Sequence, residues 1–132
     1  MAQNTKENKW AEDLPPNCPP DIAVAPKYEI FYRLVKQFPP TEDDFYSHRK
    51  LYPKKRFNTN ECRIGSLSIF NRLDECVKLL KLPLHKHKKI IQLILPPESG
   101  VILQTGNNPT HYSWWKTATY NPIPDCEKMV KW

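Results

Sequence analysis

The sequence predicts an α+β domain with a small, mainly antiparallel sheet, two or three helices and a proline-rich N-terminal tail. Residues 28–35 are rich in aromatic and β-branched side chains, as strands are. Residues 71–82 carry one apolar stripe at helical spacing, and residues 89–95 form a near-continuous apolar run. Strands that cluster late in the chain favour this class over a parallel α/β sheet.

Residues 1–26 are predicted to be a largely irregular tail, and residues 27–132 a single domain. The tail holds five of the chain's 14 prolines and few branched apolar residues. Such a segment buries too little surface to offset the entropy of ordering it. Trp10 and Ile22 are the side chains through which it could still contact the domain.

The first half of the domain is expected to run from strand to helix to loop. In the strand over 28–35, Arg33 projects from a largely apolar face, which is costly unless an anionic group meets it. Thr41 can cap a helix that has three acids in its first turn and extends to about residue 49 or 51. A basic loop follows over 54–60.

The second half is expected to supply the rest of the sheet. A strand over 66–70 precedes a helix over 71–82, which Asn71 can cap. The apolar run 89–95 is predicted to be a central strand, and after a turn 101–104 is predicted to return as a strand.

Composition excludes several function classes. Three isolated glycines cannot form a P-loop or a dinucleotide-binding loop. No run of about 18 apolar residues exists to span a membrane. The N-terminus has no apolar segment typical of a secretory signal, so we expect a cytoplasmic protein.

The four cysteines, at positions 18, 62, 76 and 126, are expected to be small buried hydrophobic residues. They form no close pair of the kind that zinc sites need, so no metal site is predicted. Without an export signal, a disulfide framework is not expected either.

Positive charge is concentrated in one region. Residues 49–89 hold 12 Lys and Arg against 3 Asp and Glu, a balance of +9, and the rest of the chain sums to −3. This region could contact nucleic acid or an anionic nucleotide. The alternative is a solvated loop whose cations lie favourably near a helix C-terminus. His85 and His87 alternate with lysines that would repel a metal, so we expect them to be surface residues.

Two short segments carry candidate binding residues. After a polar turn, His111 can exchange a proton, while Tyr112 and Trp114 can stack on a base or nicotinamide. The alternative is that the aromatic residues anchor a last strand in the core. Near Arg63, Ser66 and Ser68 can hydrogen-bond a ribose or an amide, or they are ordinary solvent-side serines. The spacing indicates no serine nucleophile, since no G-x-S-x-G motif occurs.

These segments resemble the ADP-ribosyltransferase-like fold, including the small RES-type domains that act on NAD. The resemblance rests on Tyr32-Arg33-Leu34-Val35, on Gly65-Ser66-Leu67-Ser68-Ile69-Phe70 with the helix after it, and on the strand over 90–95. It implies that Arg33 binds NAD phosphate or ribose and that Ser66 and Ser68 brace the nicotinamide ribose. Family transferases usually carry a late glutamate that activates the acceptor. Here Glu98 is the one available, and His111 is the alternative.

The leading hypothesis is therefore an NAD-binding domain, of the kind found in toxins or effectors that transfer ADP-ribose or degrade NAD. In it, Arg33 holds the pyrophosphate, His111 and Tyr112 orient the ribose or nicotinamide, and Trp114 stacks. Arg63 is a further candidate for contact with the cofactor. One alternative is a nucleic-acid-binding module that uses the basic region 49–89. Another is an immunity or adaptor protein that uses its aromatic segment as an anchor.

Overall fold

The computed structural model describes residues 9–130 and confirms the α+β class. A six-stranded antiparallel sheet has the order β4-β5-β2-β1-β3-β6. The strands are β1 Ile30–Val35, β2 Leu67–Phe70, β3 Lys89–Ile94, β4 Gly100–Gln104, β5 His111–Lys116 and β6 Cys126–Met129. The helices are α1 His48–Leu51, α2 Glu61–Ile64 and α3 Leu73–Leu80, and short 3-10 turns cover Glu42–Phe45, Pro97–Ser99 and Ile123–Asp125.

Side chains alternate across the sheet and build two apolar clusters. The larger cluster lies on one face and includes Phe31, Leu93 and the fully buried Trp114. On the other face, α3 packs its apolar stripe, through Cys76 and Leu80, against the sheet. Both faces of the sheet therefore carry packed apolar side chains, with α3 lying against β1 and β2.

The strands of the sheet part between β1 and β2. β1 pairs with β3 along its whole length, and β2 pairs with β5 along its own. β1 and β2 share only the register pair Tyr32 and Phe70. We call the gap beyond this pair the seam.

The sequence predicts one continuous helix after Thr41, and this prediction is wrong. The chain forms a 3-10 turn over Glu42–Phe45, and α1 begins separately after Ser47. The Asp44 carboxylate accepts from the backbone N–H of Thr41 and of Lys36, which closes the turn early. Ser47 then caps α1, since its hydroxyl accepts from the N–H of Lys50.

Two other differences concern strands. Residues 111–116 form a strand. This agrees with the alternative in which the aromatic residues anchor a last strand in the core. β6 was not predicted, because the four residues Cys126–Met129 have two charges and no alternation that marks a strand. β3 lies one strand from the sheet edge, with β6 outside it.

The described part of the tail lies against the domain although it is mostly irregular. Trp10 forms a bridge with Thr117, and Val24 forms one with Ile102. The expectation that all cysteines are free is wrong, because Cys18 and Cys62, 44 residues apart, form a disulfide. The fold brings Cys18 and Cys62 together, and the spacing of the cysteines in the sequence does not reveal this contact. Cys76 is free and buried, as predicted.

No helix within residues 9–130 is long and apolar enough to cross a membrane.

Candidate functional site

A cleft of about 330 Å³ opens at the seam, and we call it the seam cleft. It contains five residues singled out from the sequence, namely Arg33, Arg63, Ser66, Ser68 and His111. Strands β1, β2 and β5, helix α2 and the loops before α1 and α2 each supply part of its wall. The remaining lining residues are Tyr46, Ser47, His48, Phe57, Thr59, Ile64, Leu67 and Ser113.

Arg33 bridges the seam. Its Nη1 donates to the carbonyl oxygen of Ser68 at 2.7 Å, and its Nη2 and Nε donate to that of Asp44 at 2.8 and 3.2 Å. Burial lowers the pKa of Arg33 to about 10, against the opposing effect of Asp44, so it stays charged at neutral pH. Two of its five N–H groups remain for other partners. Two main-chain carbonyls thus largely replace the anionic partner that we expect for Arg33 from the sequence.

Arg63 is the cation with the most freedom to meet a ligand. It is half-buried, and its guanidinium makes no hydrogen bond or ion pair with any residue in 9–130. Asn60 caps α2 by accepting from the backbone N–H of Arg63, which fixes the start of the side chain. The guanidinium lies over Gly106, where an added Cβ would come within 2.6 Å of its Nη2. A partly desolvated charge without a partner favours an anion.

Ser68, His111 and Thr105 form a hydrogen-bonded chain along one wall. His111 Nε2 lies 2.9 Å from Ser68 Oγ, and its Nδ1 lies 3.1 Å from the carbonyl oxygen of Thr105. The Thr105 hydroxyl lies equally near, 3.1 Å from Nδ1. The carbonyl can only accept, so Nδ1 carries the proton when it bonds the carbonyl, and the hydroxyl can then donate to Ser113 Oγ at 2.8 Å. In the neutral ring, Nε2 then accepts the hydroxyl proton of Ser68.

The surroundings of His111 favour this neutral ring. Desolvation lowers its pKa, and the positive charge of Arg63 lowers it further, while the contact with the Thr105 backbone acts in the opposite direction. None of the described residues that line the cleft is Asp or Glu. The site therefore combines fixed cations with a histidine that is available as a base.

Ser66 has a local partner. Its hydroxyl donates to the carbonyl oxygen of Arg63 at 2.7 Å, at the C-terminal end of α2. It lines the cleft next to Ser68, but its proton is already used to satisfy a helix carbonyl. Ser68 is exposed, and its hydroxyl points to His111.

Tyr112 and Trp114, which the sequence predicts to contact a ligand, do not line the seam cleft. Along β5, His111 and Ser113 face the cleft, and the alternate residues face the larger apolar cluster. Trp114 is fully buried and donates to the carbonyl oxygen of Ser99, and Tyr112 packs edge-on against Phe31. Trp115 is buried as well, so neither tryptophan of this segment is available as an anchor for a protein partner.

Glu98 lies at the other end of β5 from His111. It comes two residues before Gly100, which pairs with Lys116 at the end of that strand, whereas His111 begins it. Five residues of strand span roughly 17 Å. Glu98 is exposed and does not line the cleft. The two residues predicted to be catalytic, Glu98 and His111, are therefore far apart.

The basic region 49–89 supplies much of the cleft wall, and Phe57 is its aromatic member. Phe57 stacks on His48, and the cations of Arg49 and Lys55 lie 5.0 and 5.3 Å from its ring centre. Arg49 is also ion-paired with Glu61. Phe57 thus provides an aromatic side chain in the cleft lining, the residue type that the stacking role predicted for Trp114 requires.

Sequence reasoning missed Thr105, Ser113, His48 and Phe57. Strand alternation could have indicated Ser113, two residues after His111. Thr105 reaches His111 across the turn between β4 and β5, and its hydroxyl lies 2.8 Å from that of Ser113. His48 and Phe57 had only the general basic composition around them as a signal.

A second cavity, of about 440 Å³, lies beside the tail. Its lining includes both Glu12 and Glu42 and both Lys50 and Lys116, so its charge is mixed. Lys116 donates to two main-chain carbonyls there. Within residues 9–130, no group of three His, Cys, Asp or Glu could hold a metal ion.

No family model, curated protein or solved structure matches this chain.

Proposed function

We propose that the seam cleft binds an anionic nucleotide, with NAD as the first ligand to test. The observation that supports this most is Arg63, a half-buried guanidinium without a partner among residues 9–130. Two free N–H groups of Arg33 and the cation of Arg63 can share one phosphate group, since arginine donors match phosphate oxygens in geometry. Ser68 and His111 are within the same cleft to meet a ribose.

The size of the cleft fits part of such a ligand. Small-molecule sites occupy about 300–1,000 Å³. At about 330 Å³ the seam cleft suits one mononucleotide half of NAD. The other half would extend over Phe57, whose ring can stack with a base.

ADP-ribosyl transfer or NAD breakdown, as in toxins of the family that the sequence resembles, is the activity to measure. The cleft lining lacks a carboxylate to stabilise a ribosyl cation among its described residues, so binding is the better supported half of the proposal. His111 is the group present that can activate an acceptor hydroxyl. Glu98 has no part in this proposal because of its distance from His111.

Calorimetry with NAD, nicotinamide mononucleotide and ADP-ribose tests the binding. We expect Arg63→Gln to weaken it at least tenfold, since a charge-assisted contact is worth about 1.5–3 kcal/mol. Lys27→Gln is the matched control, because it removes the same charge from an exposed residue outside the cleft. NAD consumption by the full chain is followed in parallel. Absence of heat with all three ligands would overturn the proposal.

Nucleic acid is the second candidate, and Phe57 with its flanking cations is the observation that favours it. Aromatic rings between basic side chains bind single strands by stacking and charge. A mixed-sequence single-stranded RNA would then bind with an affinity that falls steeply with salt, and Arg56→Gln would reduce the salt slope. Affinity independent of salt would exclude this candidate.

A cytoplasmic location is part of the same proposal. Disulfides are rare in reducing compartments, so Cys18 and Cys62 would be reduced there and the tail would lose its covalent link. Thiol labelling in cells would decide between the two states.

A further inference from the structure

One hydroxyl in the seam cleft differs from all the others. Ser47 donates to the Glu12 carboxylate, Ser66 donates to a helix carbonyl, and Ser113 is buried beside Thr105. Ser68 alone, among the described serines of the cleft, has its hydroxyl against an imidazole nitrogen, and it is exposed. An exposed hydroxyl whose proton points to a base is chemically distinct from a structural one.

The base is oriented in turn. In the tautomer that donates from Nδ1 to the Thr105 carbonyl, the Nε2 lone pair of His111 is directed at Ser68 over 2.9 Å. A nucleophile, a base at hydrogen-bond distance and a third group that fixes the tautomer of the base are the three parts of serine catalysis. These parts come from β2, β5 and the turn before β5, so the sheet fixes their mutual position.

We propose that Ser68 is a nucleophile, with His111 as its base, that hydrolyses a carboxylic ester bearing a negative charge. This activity goes beyond the proposed nucleotide binding: it requires the seam cleft but not NAD. No motif around Ser68 indicates this role, because the base lies 43 residues away in the chain.

The reaction balances without any co-reactant except water. Ser68 Oγ bonds to the ester carbonyl carbon while its proton passes to His111 Nε2. The bond from that carbon to the alcohol oxygen then breaks, the oxygen keeps the electron pair, and His111 returns the proton to it. Water, deprotonated by His111, attacks the acyl-serine, and the acid leaves as Ser68 regains its proton.

The charge of the cleft selects the substrate class. The developing oxyanion needs a hydrogen-bond donor, and the guanidinium of Arg63 has N–H groups without a partner among residues 9–130. Arg33 adds a second positive charge, and the described lining contains no carboxylate to oppose either. An ester that carries a carboxylate or phosphate is therefore favoured over a neutral one.

A fluorophosphonate probe tests the nucleophile on the full chain. We expect one adduct, on Ser68 by peptide mass spectrometry, absent in Ser68→Ala and formed about 100-fold more slowly in His111→Gln. Thr119→Ala, which removes an exposed hydroxyl outside the cleft, is the control and should label as the unmodified protein does. Circular dichroism and thermal unfolding verify that each variant is folded. Labelling at another serine, or a rate unaffected by His111→Gln in folded protein, would overturn the proposal.

Two p-nitrophenyl esters, one neutral and one with a terminal carboxylate, test the substrate class. The charged ester should be hydrolysed faster, and Arg63→Gln should remove that preference. Equal rates in the unmodified protein would overturn the assigned class. Added NAD separates this proposal from the first: protection of Ser68 from the probe supports nucleotide binding in the same cleft. Labelling unaffected by NAD leaves the nucleophile in place and counts against the nucleotide.

Discussion

The Nη1 of Arg33 donates to the carbonyl oxygen of Ser68 at 2.7 Å, across the gap where β1 and β2 stop pairing. A side chain thus occupies the space that a main-chain ladder would fill in a closed sheet. The same guanidinium binds the carbonyl of Asp44, so three chain segments meet at one cation. Arg33 therefore holds the seam cleft together before it binds any ligand.

Arg33→Ala should lower the free energy of unfolding by about 3 kcal/mol or more, because it leaves two carbonyls without their donor in a half-buried site. Arg33→Lys should recover little, since one ammonium cannot span both acceptors. Denaturant unfolding measures both changes. Lys36→Ala, which removes an exposed ion pair with Asp43, is the control and should leave the free energy of unfolding nearly unchanged. A loss for Arg33→Ala as small as the control would contradict this role.

Gly106→Ala should weaken anion binding without touching a ligand. Gly106 has a φ of +80°, and an added Cβ would lie 2.6 Å from Nη2 of Arg63, so the flexible arginine must move away. The backbone strain adds a stability cost of about 1 kcal/mol or more. Calorimetry with ADP-ribose reports the binding, and denaturant unfolding reports the cost. Unchanged affinity in the folded variant would show that the position of Arg63 does not matter.

Gly100→Ala should be far more damaging. Gly100 has a φ of +136°, and an added Cβ would lie 2.0 Å from the carbonyl oxygen of Trp115 in the neighbouring strand. Backbone on a buried strand cannot move aside as a side chain can, so β4 and β5 must separate. Expression as soluble protein and the thermal midpoint are the measurements. A midpoint within a few degrees of the unmodified protein would refute this.

Reduction of the disulfide should destabilise the chain. A cross-link between Cys18 and Cys62, 44 residues apart, constrains the unfolded state, and loss of such a loop costs about 3–4 kcal/mol in the chain-entropy model. Denaturant unfolding with and without dithiothreitol measures the effect. In the double variant Cys18→Ser/Cys62→Ser the reductant should have no effect. Four titratable thiols in the unfolded, unreduced protein would show that the bond does not form.

Acid should destabilise the fold through His111. Its folded pKa lies below the ordinary value of 6.5 because of desolvation and the charge of Arg63. The unfolded state therefore binds the proton at a higher pH, and unfolding free energy falls as pH drops below 6.5 until the folded pKa is passed. Urea unfolding at pH 7.5, 6.5 and 5.5 gives the slope. His111→Gln should make it shallower, and an identical slope would contradict the assignment.

The sequence predicted the class and the elements that periodicity governs. The apolar stripe of α3 and the long apolar run of β3 mark themselves locally, and both formed within two residues of the predicted ends. No local pattern marks the turn at Asp44, because this turn depends on the Asp44 carboxylate, which accepts from the backbone N–H of Lys36. The Cys18–Cys62 pair and β6 depend on tertiary contact in the same way.

In the candidate site too, residue types could be predicted from the sequence, and contacts that depend on the tertiary fold could not. Arg33, Ser68 and His111 were singled out by residue type, and they line one cleft. Trp114 was misplaced, because adjacent aromatic residues in a strand do not reveal which of them faces the core. The contact between Ser68 and His111 was invisible, since the order of strands across the sheet, and not any spacing in the chain, makes them neighbours.

The seam divides the sheet into two three-stranded halves, β4-β5-β2 and β1-β3-β6, and the hydrogen bonds across it come from one register pair and one arginine. Ser68 and His111 belong to the first half, and Arg33 belongs to the second. A ligand that contacts both sets would couple the halves mechanically. Amide hydrogen exchange at β1 and β2 should then slow on binding, so that protection along one line of the sheet reports occupancy whatever the ligand is.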